Sequence, residues 1–353
     1  MKKTYKNKII NLTISLSMLL FSLGRTRDLE KQKCVGYHDI IILPHGTILP
    51  IPSFLAIGKT LKGNKSDPKN KKFSFDEKYL NNLRLEGFHR YQPINKLGLV
   101  KIDEKEDPQD NVYLKTTKKI ISSYRNIDKL TNKKTYNKDS QSFYTFGWTG
   151  KLEQKNRLLW AKKLYKKIIK EKAVLEKELG NKKIRVKLIA HSHGGNVCLN
   201  LAKAEEEFKQ NLEIEELVLL GTPVQSETKV LINSPIFKNL YNIYSTGDVV
   251  QIADIISTKD SISHRTFKPD PKTGFTVPDK VKQIEIRVGV KKPLHTELWF
   301  AGEPGNFLYR RTFPIHPDPV LVYVPLIIKF TEKYNDKNNF ILNLNAKRVN
   351  EVI

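Results

Sequence analysis

The chain has 353 residues, enough for one large α/β domain with insertions or for two small domains. It carries 62 Lys and Arg against 37 Asp and Glu, a net charge of +25 that suggests a nucleic-acid or anionic-membrane partner. The excess is spread along the chain as Lys instead of forming an Arg-rich stripe, so we expect no nucleic-acid binding, while an anionic membrane surface stays open.

Residues 1–24 are predicted to be a signal peptide or an N-terminal anchor. Four lysines precede a mostly apolar run from Ile9 to Leu23, and Ser22 and Gly24 place small residues where a signal peptidase cuts. A run of about 15 residues is short for a membrane span. We therefore expect an exported or membrane-associated protein.

Strands and helices alternate between residues 35 and 335. Apolar runs that are rich in β-branched residues and end at Gly or Pro predict buried strands, and apolar residues at helical spacing predict helices. The predicted strands are 39–43, 142–147, 183–190, 214–220, 240–244 and 284–288, and the predicted helices are 153–179, 196–208 and 325–334. This order indicates an α/β domain with a mostly parallel sheet flanked by helices.

A long polar insertion, residues 58–140, interrupts this alternation. It is rich in Lys, Asn and Asp and has few apolar islands, such as Leu97 to Ile102. Two interpretations stay open, a partly disordered surface segment or a cap or lid over a site. Residues 336–353 are expected to form a C-terminal tail.

The most specific motif is Ala190-His191-Ser192-His193-Gly194, between a predicted strand and a predicted helix. A nucleophile at such an elbow has a strained backbone, so the positions two before and two after it must be small, as Ala190 and Gly194 are. The turn raises the Ser192 hydroxyl above the sheet edge and aims the next amide at the reaction centre. The motif resembles the nucleophile elbow of the α/β-hydrolase superfamily, lipase and esterase branch, with Ala190 in place of the usual first Gly.

A second motif, Pro44-His45-Gly46-Thr47, directly follows the first predicted strand. It resembles the His-Gly motif of lipases, in which the residue after the glycine gives its amide to the oxyanion hole. The resemblance implies that the amides of Thr47 and His193 form this hole, with His45 and Gly46 supporting it. Two preorganised donors would stabilise a tetrahedral oxyanion.

The resemblance also implies the chain order serine, acid, histidine. Asp248 comes just after the fifth predicted strand and is the expected acid, with Asp254 as the alternative. His295 follows the last predicted strand and is the expected base, since a loop there can bring a neutral imidazole to the serine. His316 is the alternative base, and His264, in a polar stretch with no strand before it, is the weakest candidate.

Metal and cofactor chemistry finds no support in the sequence. His191 and His193 flank Ser192, but their spacing across a sharp turn points the two rings apart, and we expect His191 to pack against a neighbouring loop. The two cysteines, Cys34 and Cys198, fit neither a disulfide framework nor the spacing of metal ligands. We therefore expect no metal and no cofactor.

Together these patterns predict a serine hydrolase that cleaves carboxylic esters of small molecules or lipids through an acyl-enzyme on Ser192. Two alternatives stay open. One is an acyltransferase on the same fold, which passes the acyl group to an alcohol instead of to water. The other is a non-catalytic protein that uses a basic hydrolase scaffold to bind lipid or nucleic acid.

Overall fold

The computed structural model of the protein describes residues 11–12, 36–47, 91–103, 112–133, 136–137, 140–180, 182–252, 263–301, 318–334 and 336–344. Of the predicted signal peptide, residues 1–24, only 11–12 lie inside these ranges, so the signal remains a prediction. Cys34, Asp254 and His316 also lie outside the described residues.

The described residues form one sheet of nine strands, of which the first has only two residues. The strands are β1 (Asn11–Leu12), β2 (Tyr37–Pro44), β3 (Gly98–Lys101), β4 (Gln141–Gly147), β5 (Lys183–His191), β6 (Ile214–Leu220), β7 (Phe237–Tyr244), β8 (Val281–Arg287) and β9 (Asn339–Asn343). Their order across the sheet is β1-β9-β8-β7-β6-β5-β2-β4-β3. Every neighbouring pair is parallel except β3 with β4. The predicted α/β class with a mostly parallel sheet is confirmed.

Helices cover both faces of this sheet, as parallel strands require. They are α1 (Val112–Thr131), α2 (Gln154–Leu179), α3 (His193–Leu199), α4 (Leu201–Phe208), α5 (Ser226–Lys229) and α6 (Val324–Glu332), with 3₁₀ turns at Val230–Asn233, Thr296–Leu298 and Val320–Tyr323. Side chains alternate along each strand, so Ile40 and Ile42 face the side of α2, α3 and α4. Ile41 and Leu43 face the side of α1 and α6.

The predicted insertion 58–140 differs from the structure in its second half. Residues 98–101 form β3, an edge strand of the sheet, and α1 packs on the core through Ile120, Ile121, Tyr124 and Ile127. These apolar residues recur at helical spacing, but the Ser, Arg and Asn residues between them lower the mean hydropathy and hide the pattern. Residues 58–90 and 104–111 lie outside the described ranges, so the idea of a cap or lid is not decided there.

The prediction that residues 336–353 form a C-terminal tail is wrong in its first part, which contributes a strand to the sheet. Residues 339–343 form β9, which pairs in parallel with β8. Phe340 and Leu342 are buried while Asn339, Ile341 and Asn343 are not, a period of two that the sequence hides because the outward-facing Ile341 is itself apolar. The strand predicted at 284–288 is therefore not the last one, and β8 lies inside the sheet.

Candidate functional site

Ser192 lies at a sharp turn between a strand and a helix at the centre of the sheet. It follows the last residue of β5 and precedes the first residue of α3, and its backbone has φ 52° and ψ −132°. A positive φ is strained for a residue with a side chain and marks a site where the surrounding structure holds the backbone in place. One restraint on this backbone is a hydrogen bond, which the Ser192 amide donates to the carbonyl of Leu220 on β6 at 2.9 Å.

Small residues let α3 approach the neighbouring strands. A methyl group on Gly194 would collide with the backbone carbonyls of Pro44 and His45, and one on Gly195 would collide with the side chain of Thr222. Ala190, where the motif usually has glycine, is fully buried in β5. The elbow therefore needs glycine at 194 for close backbone contact, whereas position 190 accommodates a methyl group.

The carboxylate of Asp248 and the imidazole of His295 form a hydrogen-bonded pair. Asp248 comes four residues after β7 and is fully buried, and its Oδ2 lies 2.7 Å from Nδ1 of His295. Its other oxygen accepts the backbone N–H of Gln251 at 3.0 Å. Since an ionised carboxylate only accepts hydrogen bonds, this geometry assigns the proton to Nδ1 and leaves Nε2 of His295 able to take a proton.

Two contacts place this pair beside the elbow. A methyl group on Gly221, the residue after the Leu220 carbonyl that binds Ser192, would lie 3.0 Å from Oδ2 of Asp248 and 3.3 Å from Nδ1 of His295. On the other side, Nε2 of His191 donates to the carbonyl of His295 at 3.1 Å, and the two rings are 4.6 Å apart. The Asp248–His295 pair therefore lies beside the turn that carries Ser192, at the carboxyl edge of the sheet.

The turn after β2 lies against the elbow. A methyl group on Gly46 would lie 2.8 Å from Cβ of Ser192, so only glycine allows this approach. His45 fixes the turn to β4, because its Nε2 accepts the amide of Trp148 at 3.2 Å and its carbonyl accepts the indole N–H at 2.8 Å. Thr47 follows, and its hydroxyl has no hydrogen-bond partner within the described part of the chain. The turn places Thr47, one residue after the Gly46 contact, on the side of Ser192, and His193, the other residue expected to supply an oxyanion-hole amide, directly follows Ser192 in the chain.

His191 packs against a neighbouring loop, as predicted, and that loop carries His295. Its ring stacks on Trp299 with centroids 5.5 Å apart and meets Phe300 edge-on. Burial and the neighbouring histidines lower the pKa of His191 well below its ordinary value, so the ring is neutral. A neutral ring keeps Nε2–H as a donor and leaves Nδ1 without a partner among the described residues.

Two buried ionisable residues beside the site were not predicted. Arg157 on α2 is completely buried and donates to Nδ1 of His193 at 3.0 Å and to Oε1 of Gln154 at 3.1 Å. Glu297 lies two residues after His295, and burial raises its pKa to about 7, against the opposing effect of the Leu294 amide. Neither had a signal in the sequence, since Arg157 belongs to a Lys-rich helix and Glu297 to a polar loop.

The alternative site residues have different outcomes. His264 is exposed and forms a backbone bridge with Val224, and no contact joins it to the Asp248–His295 pair. His316 and Asp254 lie outside the described residues and stay predictions. In the ranges that the structure describes, no three His, Cys, Asp or Glu side chains converge as metal ligands would.

Comparisons with known proteins add no relative. The chain matches no family model, and a search of curated proteins gives no match. Within the described ranges, none of the helices combines the length and the apolar character that crossing a bilayer requires.

Proposed function

We propose that this chain is a serine hydrolase of carboxylic esters, with an α/β-hydrolase type of fold and Ser192 as its nucleophile. The observation that carries the proposal is the 2.7 Å bond between buried Asp248 and His295, formed beside a serine with φ of 52° at a strand-to-helix elbow. An oriented histidine next to a strained serine is the arrangement that activates a hydroxyl nucleophile. A serine with a purely structural role needs neither an oriented histidine beside it nor a strained backbone.

The position of these residues in the sheet supports the same fold. The elbow follows β5, which lies between β2 and β6, and the oxyanion-hole candidate Thr47 follows β2. Acid and base follow β7 and β8 on the other side, so the residues occur in the chain order serine, acid, histidine. Ligands of open α/β sheets bind outside the carboxyl ends of the strands, which is where these residues meet.

The reaction uses this geometry in two halves. Nε2 of His295 takes the proton of the Ser192 hydroxyl while Oγ attacks the ester carbonyl, and Asp248 stabilises the imidazolium that forms. The amides of Thr47 and His193 hold the oxyanion, and the imidazolium then gives its proton to the departing alcohol. Water, deprotonated by the same histidine, attacks the acyl-enzyme, and the imidazolium then gives that proton to the departing Ser192 oxygen as the acid product is released.

Labelling with a fluorophosphonate probe tests the proposal, because the probe reacts with activated serines and needs no knowledge of the substrate. The wild-type chain should gain one covalent adduct at Ser192, and Ser192→Ala should gain none. Ser226→Ala, a serine on α5, is the matched control and should label as the wild type does. A folded wild-type chain that stays unlabelled would refute the proposal.

A further inference from the structure

Exposed apolar side chains lie on two loops next to the candidate site. The loops that carry Asp248 and His295 expose five large apolar residues, which we call the apolar rim: Val249, Val250, Ile252, Val290 and Leu294. Single exposed apolar residues are ordinary on protein surfaces, but several on adjoining loops usually mark a binding surface. Val290 is fully exposed, at the tip of a hairpin closed by the Val288–Lys291 bridge.

The two loops lie side by side. They follow β7 and β8, which are neighbouring parallel strands, so both leave the same edge of the sheet. Their backbones touch, since a methyl group on Gly247 would lie 2.5 Å from the carbonyl oxygen of Lys292. The apolar rim is therefore one surface beside the mouth of the site.

The charges exposed on this surface are positive. Lys291 and Lys292 are exposed next to Val290, whereas the acidic residues of the segments 244–252 and 284–297, which are Asp248, Glu285 and Glu297, are all buried. An apolar surface bordered by lysines complements an interface with apolar chains below anionic headgroups. A projecting hairpin tip also fits a deformable lipid surface better than a rigid groove.

We propose that the apolar rim docks on an anionic lipid surface, with Val290 and its apolar neighbours entering the headgroup layer and Lys291 and Lys292 contacting the headgroups. The substrates of the site are then lipid esters taken from that surface, a step that rests on the proposed hydrolase activity. Docking itself needs no catalysis. It can therefore be measured in an inactive chain.

Vesicle sedimentation tests the docking in the full chain carrying Ser192→Ala. Phosphatidylcholine vesicles are compared with and without phosphatidylserine. Adding Val290→Asp, or Lys291→Glu with Lys292→Glu, should weaken binding to the anionic vesicles by about tenfold or more, because each change removes apolar or cationic contact with the surface. The matched controls are Val174→Asp and Lys177→Glu, exposed positions near the end of α2 at the opposite edge of the sheet, which should bind as the parent does.

A fluorescent reporter at the rim gives a second measurement. Val290→Cys in a Cys34→Ser background presents one accessible thiol among the described residues, since Cys198 is buried. An environment-sensitive dye at this thiol should shift to the blue with anionic vesicles, and the same dye on Val174→Cys should not. Rim variants that sediment as the parent does, or a dye at 290 that reports no apolar environment, would overturn the proposal.

The hydrolase activity and the docking of the apolar rim can be refuted independently of each other. Rim variants should keep the fluorophosphonate reactivity of Ser192, because none of the changed residues belongs to the site. A chain that binds anionic vesicles through the rim but never labels would overturn the hydrolase and leave the docking surface standing. A chain that labels but does not dock would keep the hydrolase and exclude this lipid surface.

Discussion

Gly221 is the position where one added methyl group should act on the Asp248–His295 pair directly. It follows β6 with φ of +59°, and its new Cβ would lie 2.7 Å from Cδ1 of Leu298 and 3.0 Å from Oδ2 of Asp248. The left-handed backbone costs an alanine about 1–2 kcal/mol relative to glycine. The overpacking adds about 1–3 kcal/mol. Gly221→Ala should therefore lower the free energy of unfolding by about 2–5 kcal/mol.

Gly274→Ala separates these two contributions. Gly274 has φ of +69°, and a methyl group added there would have no heavy atom within 4 Å. This variant should lose only the backbone part, about 1–2 kcal/mol. The free energies of unfolding of the two variants, measured in urea, differ by the cost of the steric overlap between the methyl group at 221 and its neighbours.

The catalytic consequence follows from the same contact. To relieve the overlap with the added methyl group, Asp248 and His295 must move apart. A displacement of about 1 Å in a catalytic group lowers the reaction rate by about a hundredfold. The rate of fluorophosphonate labelling of Ser192 measures this loss under conditions where both variants are folded. If Gly221→Ala labels as fast as Gly274→Ala, the Asp248–His295 pair does not activate Ser192 and the reasoning is refuted.

Three further changes test other parts of the structure. Asp248→Asn should slow labelling by about 10⁴-fold, measured by quenched labelling time courses, because an amide no longer holds the reactive tautomer of His295. Burial raises the pKa of Glu297 from 4.5 to about 7, so the folded protein binds a proton that the unfolded chain releases. The free energy of unfolding should therefore fall as pH rises from about 4.5 to about 7, and Glu297→Gln should flatten that fall in urea titrations. Asp39→Asn should cost about 1.5–3 kcal/mol in the same assay, because Asp39 accepts from Arg185 at 2.6 Å, and an unchanged midpoint would contradict this.

The sequence predicted the central strands well because their signal is local. The strand at 214–220 was predicted with the bounds of β6, since the apolar run 217–220 ends there at a glycine. The helix predicted at 196–208 begins at His193 and is divided at Asn200, because the elbow itself starts the helix. The edge strand β3 and the strand β9, second from the other edge, were missed, since short strands with one half-exposed face have weak patterns.

The site was predictable where residues mark the end of a strand. Ser192, Asp248 and His295 each follow a strand, and parallel topology brings such ends together. The contacts between distant residues were not predictable, such as Arg157 with His193 or the approach of Gly221 to Asp248. Those contacts depend on how α2 and the loop after β6 pack against the sheet, and the hydrophobic periodicity of the sequence does not predict this packing.

Buried polar groups occur at both edges of the sheet. Towards the amino edge, Lys187 bridges Asp39 at 3.2 Å and Glu216 at 2.8 Å, which joins three adjacent strands. At the carboxyl edge, Ser192 has a strained backbone, and the buried atoms that lack partners within the described residues include Oγ1 of Thr47, Nδ1 of His191 and Nε1 of Trp299. Each such atom costs about 1–3 kcal/mol. Strain and unmet hydrogen bonds persist in a stable fold where a bound molecule can relieve them, and the serine that the sequence marks as a nucleophile has a strained backbone with such atoms near it.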